Sequence, residues 1–283
     1  MLKVDLHLHS TASDGRLSPA ELVRKAAAEE LAIIALTDHD TVGGIAAALA
    51  AAQEFPTLRL IPGIEISTDI PEGEVHILGY FIDYTDRNLL TALEKMHNSR
   101  WERARRIIDK LGEMGYPIDW ERVQEIAGEG TIGRPHIAQA MLESGYIDFF
   151  QEAFDKYIDR DGPAYIEREK VTPTGAVEMV VKAGGLPVLA HPLTLPEPEQ
   201  LAINLKAVGL IGIEAYYTRY STEDAQRLVT IANRYNLVAT GGTDFHGINA
   251  GTEIPIGGVE IPEKSVEQLL ALAQQSELKS ASP

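Results

Sequence analysis

Short motifs of histidine and carboxylate recur along this chain: His7-Leu8-His9 followed by Asp14, Asp38-His39-Asp40, Gly63-Ile64-Glu65, Val75-His76, Ala190-His191-Pro192 and Asp244-Phe245-His246. They hold six of the eight histidines. Imidazole and carboxylate are the donors with which hydrolases hold divalent ions, and a held ion polarises oxygen and activates water. The pattern reads as a metal-dependent hydrolase in which the metals carry the chemistry. The chain has no cysteine. Disulfides, thiolate sites and a thiol nucleophile are therefore excluded, and any ion is held by nitrogen and oxygen alone. Manganese, zinc or iron suits such a donor set.

Each motif alone also has an ordinary reading. A His-x-His pair on a strand can be surface or core. Asp14 can cap the Ser13-Asp14-Gly15 turn, and Asp38 and Asp40 can be turn residues or partners that fix a histidine tautomer. Glu65 can be a paired buried carboxylate, and His191 a satisfied histidine at a strand end. These readings leave the shared placement unexplained. Nearly every motif falls at or just beyond the carboxyl end of a predicted strand, and in a barrel of parallel strands those ends converge on one face. His7 and His9, two apart on a strand, point to the same side. His76 falls early in its segment, and its placement is the least defined.

The elements that must position these residues are short β-rich segments alternating with helical patterns, as in parallel strands joined by crossover helices. Strands are expected at Val4–His9, Ala32–Thr37, Arg59–Glu65, Val75–Phe81, Leu186–Ala190, Ile211–Ala215 and Val238–Thr243. Ser18-Pro19-Ala20-Glu21 supplies a capping box with proline at the first helical position. Thr172-Pro173 and Ser221-Thr222-Glu223-Asp224 mark further helix starts, and Gly184-Gly185 a stop. Residues 88–165 break the rhythm with long helical runs, Leu89–Met96 and Trp101–Met114. Ala104, Ile107, Ile108 and Leu111 there have amphipathic spacing. We expect a metal-binding barrel from residues 1–87 and 166–283, interrupted by a helical insertion at 88–165 that roofs the site. The tail Glu277–Pro283 is expected to be disordered.

Composition sets the context. With 283 residues, 45% of them hydrophobic, the chain can bury a large core. No apolar run approaches the ~20 residues that span a bilayer. Met1-Leu2-Lys3 passes at once into the first strand, so a cytoplasmic enzyme without a signal peptide is expected. A net charge of -17 argues against binding duplex DNA, where affinity rests on many cation–phosphate contacts. A small anionic substrate remains compatible, because metals and a few arginines reverse the local potential. No membrane and no obligate protein partner is inferred.

Taken together, Asp5-Leu6-His7-Leu8-His9, Leu36-Thr37-Asp38-His39-Asp40, Leu189-Ala190-His191-Pro192 and Thr243-Asp244-Phe245-His246 resemble the motifs of the PHP (polymerase and histidinol phosphatase) phosphoesterases. Gly63-Ile64-Glu65-Ile66-Ser67 and Val75-His76 fit between them, and the resemblance spans nearly the whole chain. It implies an α/β fold, a distorted (β/α)7 barrel with two or three divalent metals. The same resemblance implies that His7, His9, Glu65 and Asp244 hold one metal, with Glu65 bridging to a second held by His76 and His191. Asp14, His39 and His246 would hold a third. Asp14 stands where some members have histidine, which favours a harder ion such as manganese or magnesium at that position. Asp14, His39 and Glu65 are the residues implied in catalysis, an in-line attack on phosphorus by water activated between metals. Asp14 or His39 could alternatively act as a general acid toward the leaving oxygen.

Substrate choice is expected in the helical insertion. Arg100 and Arg103 lie one turn apart, and Thr131-Ile132-Gly133-Arg134-Pro135-His136 forms a basic turn. Arginine binds phosphate bidentately, so Arg100, Arg103, Arg134 and His136 are candidates to grip a second phosphate. Arg105, Arg106 and Lys110 are assigned to a solvated helix face, and His97 to structure. The Gly-Arg-Pro-His turn is similar to that of the branch acting on nucleoside 3',5'-bisphosphates and on the 5' end of short RNA. That branch is the favoured expectation, with a small nucleotide or short oligonucleotide as substrate. Its alternatives are a histidinol phosphate or other small-monoester phosphatase and, of another class, a non-catalytic metal-stabilised interaction module.

Overall fold

The expected strands all form: β1 (Val4–Leu8), β2 (Ile33–Leu36), β3 (Arg59–Ile70), β4 (Gly73–Tyr80), β5 (Leu186–Leu189), β6 (Gly212–Tyr217) and β7 (Val238–Gly242), hydrogen-bonded in sequence order. The computed structural model describes residues 2–70, 73–128, 132–167, 171–195, 197–248 and 253–280. Among these, β7 returns to β1, where the His9 amide donates to the Phe245 carbonyl at 3.0 Å, so the sheet is a nearly closed barrel. Gly242 makes that closure possible. A Cβ there would stand 2.4 Å from His7 Cβ, too close for any other residue.

The expectation of an all-parallel barrel is corrected at β4. β1–β2–β3 and β5–β6–β7 pair in parallel, but β4 is antiparallel to both β3 and β5. Only residues 71 and 72 separate β3 from β4, and so short a link permits only a hairpin, since a parallel crossover takes a dozen residues or more. The reversal accounts for His76. A strand running backwards presents its first residues to the mouth of the barrel, and His76 sits opposite Ser67, two residues beyond Glu65. Cross-strand partners and alternate residues share a face, so His76 and Glu65 meet.

The connecting helices form where their caps predict. In α1 (Pro19–Ala28) the Ser18 amide donates to the Glu21 carboxylate at 2.8 Å, and the Glu21 amide donates back to Ser18 Oγ. α2 is Ile45–Ala52, and α3 runs unbroken over Arg87–Glu113, joining what the sequence reads as two runs. α4 (Trp120–Ala127), α5 (Arg134–Glu143) and α6 (Gln151–Ala153) follow, α6 continuing into a π-helical turn at Phe154–Ile158. Thr172 caps α7 (Pro173–Lys182), which ends at a left-handed Gly184. α8 is Pro198–Lys206; α9 (Thr222–Arg234) is capped by Ser221, and α10 is Glu263–Ser280.

Apolar partners change within α3. Leu89, Leu93 and Met96 pack with the barrel strands and α1, α2, α7 and α9, whereas Ala104, Ile107, Ile108 and Leu111 join Val123, Ile137, Met141 and Ile158 in a second cluster. Nor is the helix face uniformly solvated: Arg105 lies over the Trp120 ring, and Lys110 Nζ donates to the Tyr165 carbonyl. α10 corrects part of the expected disordered tail, because Val266, Leu269 and Ala273 anchor its stem. Residues 281–283, like Thr131 of the basic turn, lie outside the described residues. No described helix is long and apolar enough to cross a membrane.

Candidate metal centre

The sequence motifs converge. His7 lies near the end of β1 with His9 just beyond the strand, Asp14 follows in the next loop, and His39 follows β2. Glu65 lies within β3 and His76 in β4, while His191 follows β5 and Asp244 and His246 follow β7. Glu65 is at the centre. Its Oε2 lies 3.1 Å from His7 Nε2 and 3.2 Å from both His9 Nε2 and His39 Nδ1, and its Oε1 lies 2.9 Å from His76 Nδ1 and 3.1 Å from His191 Nε2. Asp244 Oδ1 stands 3.4 Å from His7 Nε2 and 3.1 Å from His9 Nε2. Asp14 Oδ1 is 3.4 Å from His246 Nε2 and 3.8 Å from His9 Nδ1.

These donors fit metal ions better than they fit one another. His7, His9, Glu65 and Asp244 offer four atoms that can share one ion. Ligand atoms about 2.0–2.1 Å from an ion in a tetrahedron stand roughly 3.3–3.4 Å apart, close to the separations here. His9, Asp14, His39 and His246 form a second such group and His39, Glu65 and His76 a third. The group around His76 thus takes in His39 on the other carboxylate oxygen, while His191 shares Glu65 Oε1 with His76. His7 Nε2, both ring nitrogens of His9, Asp14 Oδ1, His39 Nδ1 and Glu65 Oε2 are buried without a hydrogen bond. Buried polar atoms without partners are costly, and so many aimed at one volume are accounted for by divalent cations. The cluster is a divalent-metal site.

Other polar residues hold the donors, and sequence reasoning missed the most important of them. Glu214, fully buried on β6, takes His7 Nδ1 at 2.9 Å on one oxygen and the His191 amide at 2.8 Å on the other. The first contact turns His7 Nε2 toward the cluster. The second holds His191 where its backbone has φ +26°, a left-handed conformation that a non-glycine residue adopts only at a cost. Tyr217 donates to Asp244 Oδ2 at 2.8 Å. The one signal for either was the solitary acid in Ile213-Glu214-Ala215, inside an apolar strand. Asp38 accepts from the Ser10 amide and from the Ser10 and Ser13 hydroxyls, organising the loop that carries Asp14.

Of the expected substrate contacts, three arginines reach a cleft of about 130 Å³ beside the cluster. Arg100, Arg103 and Arg134 line it with Asp14, His39, Ser67, Glu74 and His76. Arg100 is held by Asp40 and by Ser67 Oγ at 2.7 Å. Arg134 pairs with Glu74 at 2.9 Å and Asp159 at 2.8 Å. Arg103 donates through Nε to the Ile166 carbonyl, and one of its terminal nitrogens is buried without a partner. His136 is not among the lining residues. Its Nδ1 accepts the Gly133 amide at 3.0 Å, so this imidazole secures the turn that presents Arg134.

Protonation follows burial and neighbours. Burial opposes charge on Glu65, yet His39, His7 and His76 hold its carboxyl well below the usual range. Burial pushes His39 down to about 4 against the pull of Glu65 and Asp14. His9 is driven the other way: burial lowers it, but Asp244 and Glu65 raise it to about 10. Metal-free protein at neutral pH therefore keeps a proton on His9 that a metal must displace. Metal loading should release about one proton or more per chain, and affinity should strengthen as pH rises. Titration calorimetry at pH 7 in buffers of different ionisation enthalpy measures this; heats independent of the buffer would contradict it.

A barrel with nitrogen and oxygen donors gathered at one mouth defines a metal-dependent hydrolase. The PHP domain model matches residues 5–160. A 5'-3' exoribonuclease of Haemophilus influenzae is 35% identical over 263 residues, covering 92% of this chain and 93% of that protein. A 3',5'-nucleoside bisphosphate phosphatase of Chromobacterium violaceum is 34% identical over 256 residues, with 89% and 90% covered. A structure from Bifidobacterium adolescentis, described as that of a metal-dependent phosphoesterase, superposes with a TM-score of 0.85 at 30% identity, with 95% and 96% covered. The chain belongs to the PHP family and is a phosphoric ester hydrolase, which sets aside the non-catalytic module.

Proposed function

We propose that this enzyme removes the 3'-phosphate of nucleoside 3',5'-bisphosphates and trims short 5'-phosphorylated RNA from its 5' end. The observation that carries this reading is the arginine cleft opening directly onto the metal cluster. A substrate with one phosphate at the cluster and another a nucleoside's length away satisfies both. Arg103 remains short of a partner, and burial together with the adjacent Arg134 lowers it to about 10. It is still cationic at neutral pH, and an anion in the cleft would relieve both the missing hydrogen bond and the cation–cation repulsion. The carboxylates on Arg100 and Arg134 orient their guanidinium planes, and arginine has five N–H groups to divide between such partners and a phosphate.

Two or three bound divalent ions, manganese favoured, supply Lewis acidity toward phosphoryl oxygen and toward the attacking water. The residues assigned to hold them are His7, His9, Glu65 and Asp244, with His76 and His191 across Glu65, and Asp14, His39 and His246. Burial opposes charge on Asp14, yet His246 and His39 hold its carboxyl well below the usual range. With His39 down to about 4, Asp14 is a carboxylate and His39 a neutral imidazole at neutral pH. This favours ligation for both over the general-acid alternative. The arginines fix the substrate's far end and so orient the scissile bond.

A histidinol phosphate phosphatase would have no second anion for the cleft, and its substrate's ammonium group would meet cations there. Adenosine 3',5'-bisphosphate should be turned over faster than histidinol phosphate by manganese-loaded enzyme. Arg134→Ala should raise KM for the bisphosphate about tenfold while sparing bound metal and turnover of adenosine 3'-monophosphate. Equal rates on the first pair, or an unchanged KM in the variant, would overturn the reading.

A further inference from the structure

Two clefts reach the cluster. Besides the arginine cleft, a second one of about 520 Å³ is walled by Phe150, Tyr217, Arg219, Asp244, His246 and Ile254. Only Asp14 and Pro135 line both. A bisphosphate whose 5'-phosphate sits among the arginines and whose 3'-phosphorus sits at the cluster leaves the second cleft empty. That cleft nevertheless has the size of a ligand pocket, which runs from about 300 to 1,000 Å³.

Its walls suit a nucleotide. Phe150 offers an aromatic surface, and its ring lies 5.7 Å from that of Phe154, which lines the first cleft. The aromatic pair thus links the two spaces, and bases stack on such rings with little regard to sequence. Arg219 is exposed just beyond β6 and makes no hydrogen bond or ion pair with any described residue. The acid nearby is occupied: one Glu253 oxygen accepts the His246 and Gly247 amides at 2.6 and 3.0 Å.

We propose that the second cleft is the subsite for the nucleotide following the scissile phosphodiester of short 5'-phosphorylated RNA, with Arg219 meeting its backbone phosphate. This rests on the reading above and extends it. Water attacks the phosphorus, the P–O3' bond breaks, and the 3' oxygen leaves with a proton as the hydroxyl of a nucleoside 5'-monophosphate. The water's oxygen stays on phosphorus, so the remaining oligomer keeps a 5'-phosphate and can enter the arginine cleft for the next cycle. In a bisphosphate the same phosphorus carries no second nucleoside, and the second cleft has no part.

The test compares Arg219→Gln and Phe150→Ala with wild type on 5'-phosphorylated di- and trinucleotides and on adenosine 3',5'-bisphosphate. Loss of one charge-assisted contact should lower kcat/KM on the trinucleotide about tenfold and leave the bisphosphate unaffected. No loss on the trinucleotide, or equal loss on both substrates, overturns the proposal. If wild type prefers the bisphosphate to histidinol phosphate but does not cleave the oligonucleotides, this subsite fails and the bisphosphatase reading stands. If that preference is absent, the bisphosphatase reading itself fails.

Discussion

Glu65→Gln should abolish turnover, with kcat/KM falling at least ~10³-fold, because Lewis-acid stabilisation amounts to several kcal/mol and each 1.4 kcal/mol is about tenfold. The carboxylate sits within 3.2 Å of ring nitrogens from His7, His9, His39, His76 and His191. Glutamine keeps the volume but replaces one anionic oxygen with an NH2 group that cannot bind a cation. It also removes the charge that balances neighbouring imidazoles. Elemental analysis after metal loading should show fewer ions per chain, while circular dichroism shows an intact fold. A variant with full metal content and near-normal turnover would mean that Glu65 does not organise the centre.

Glu214→Ala should weaken metal binding and lower kcat/KM by roughly 10- to 100-fold, the usual consequence of removing a carboxylate behind a ligand histidine. Two contacts are lost together, to His7 Nδ1 and to the His191 amide. His7 would then be free to change tautomer or rotate, and the left-handed backbone at His191 would lose the acceptor that holds it. Glu214→Gln separates these effects. Its single acceptor oxygen can serve one donor, while its NH2 faces the other, so partial loss is expected. Raising the metal concentration should recover much of the activity of Glu214→Ala, since its ligands remain. Activity that saturating metal leaves unrecovered, or a metal affinity equal to wild type, would argue against a positioning role.

The donor motifs and strand segments were legible because both depend on local order. Short apolar, β-rich runs mark β1 to β7 whatever surrounds them, and Ser18, Thr172 and Ser221 cap their helices through contacts three residues away. Long-range partners were not legible. Nothing near Arg134 in sequence announces Glu74, 60 residues away, and His136 reads as a binding residue until its ring accepts the Gly133 amide. The continuity of α3 was also hidden, since its two halves pack against different cores.

By itself, then, the sequence determined the donor chemistry, imidazole and carboxylate without thiol, and the succession of elements that brings those donors to strand ends. Tertiary structure alone decided that β4 runs backwards and so delivers His76 to the mouth, that Glu214 braces two ligands, and that two clefts flank the cluster. The physical reason is range. Side-chain chemistry and hydrophobic period are properties of neighbouring residues, whereas strand direction, buried hydrogen bonds and cavities arise only when distant segments exclude water together.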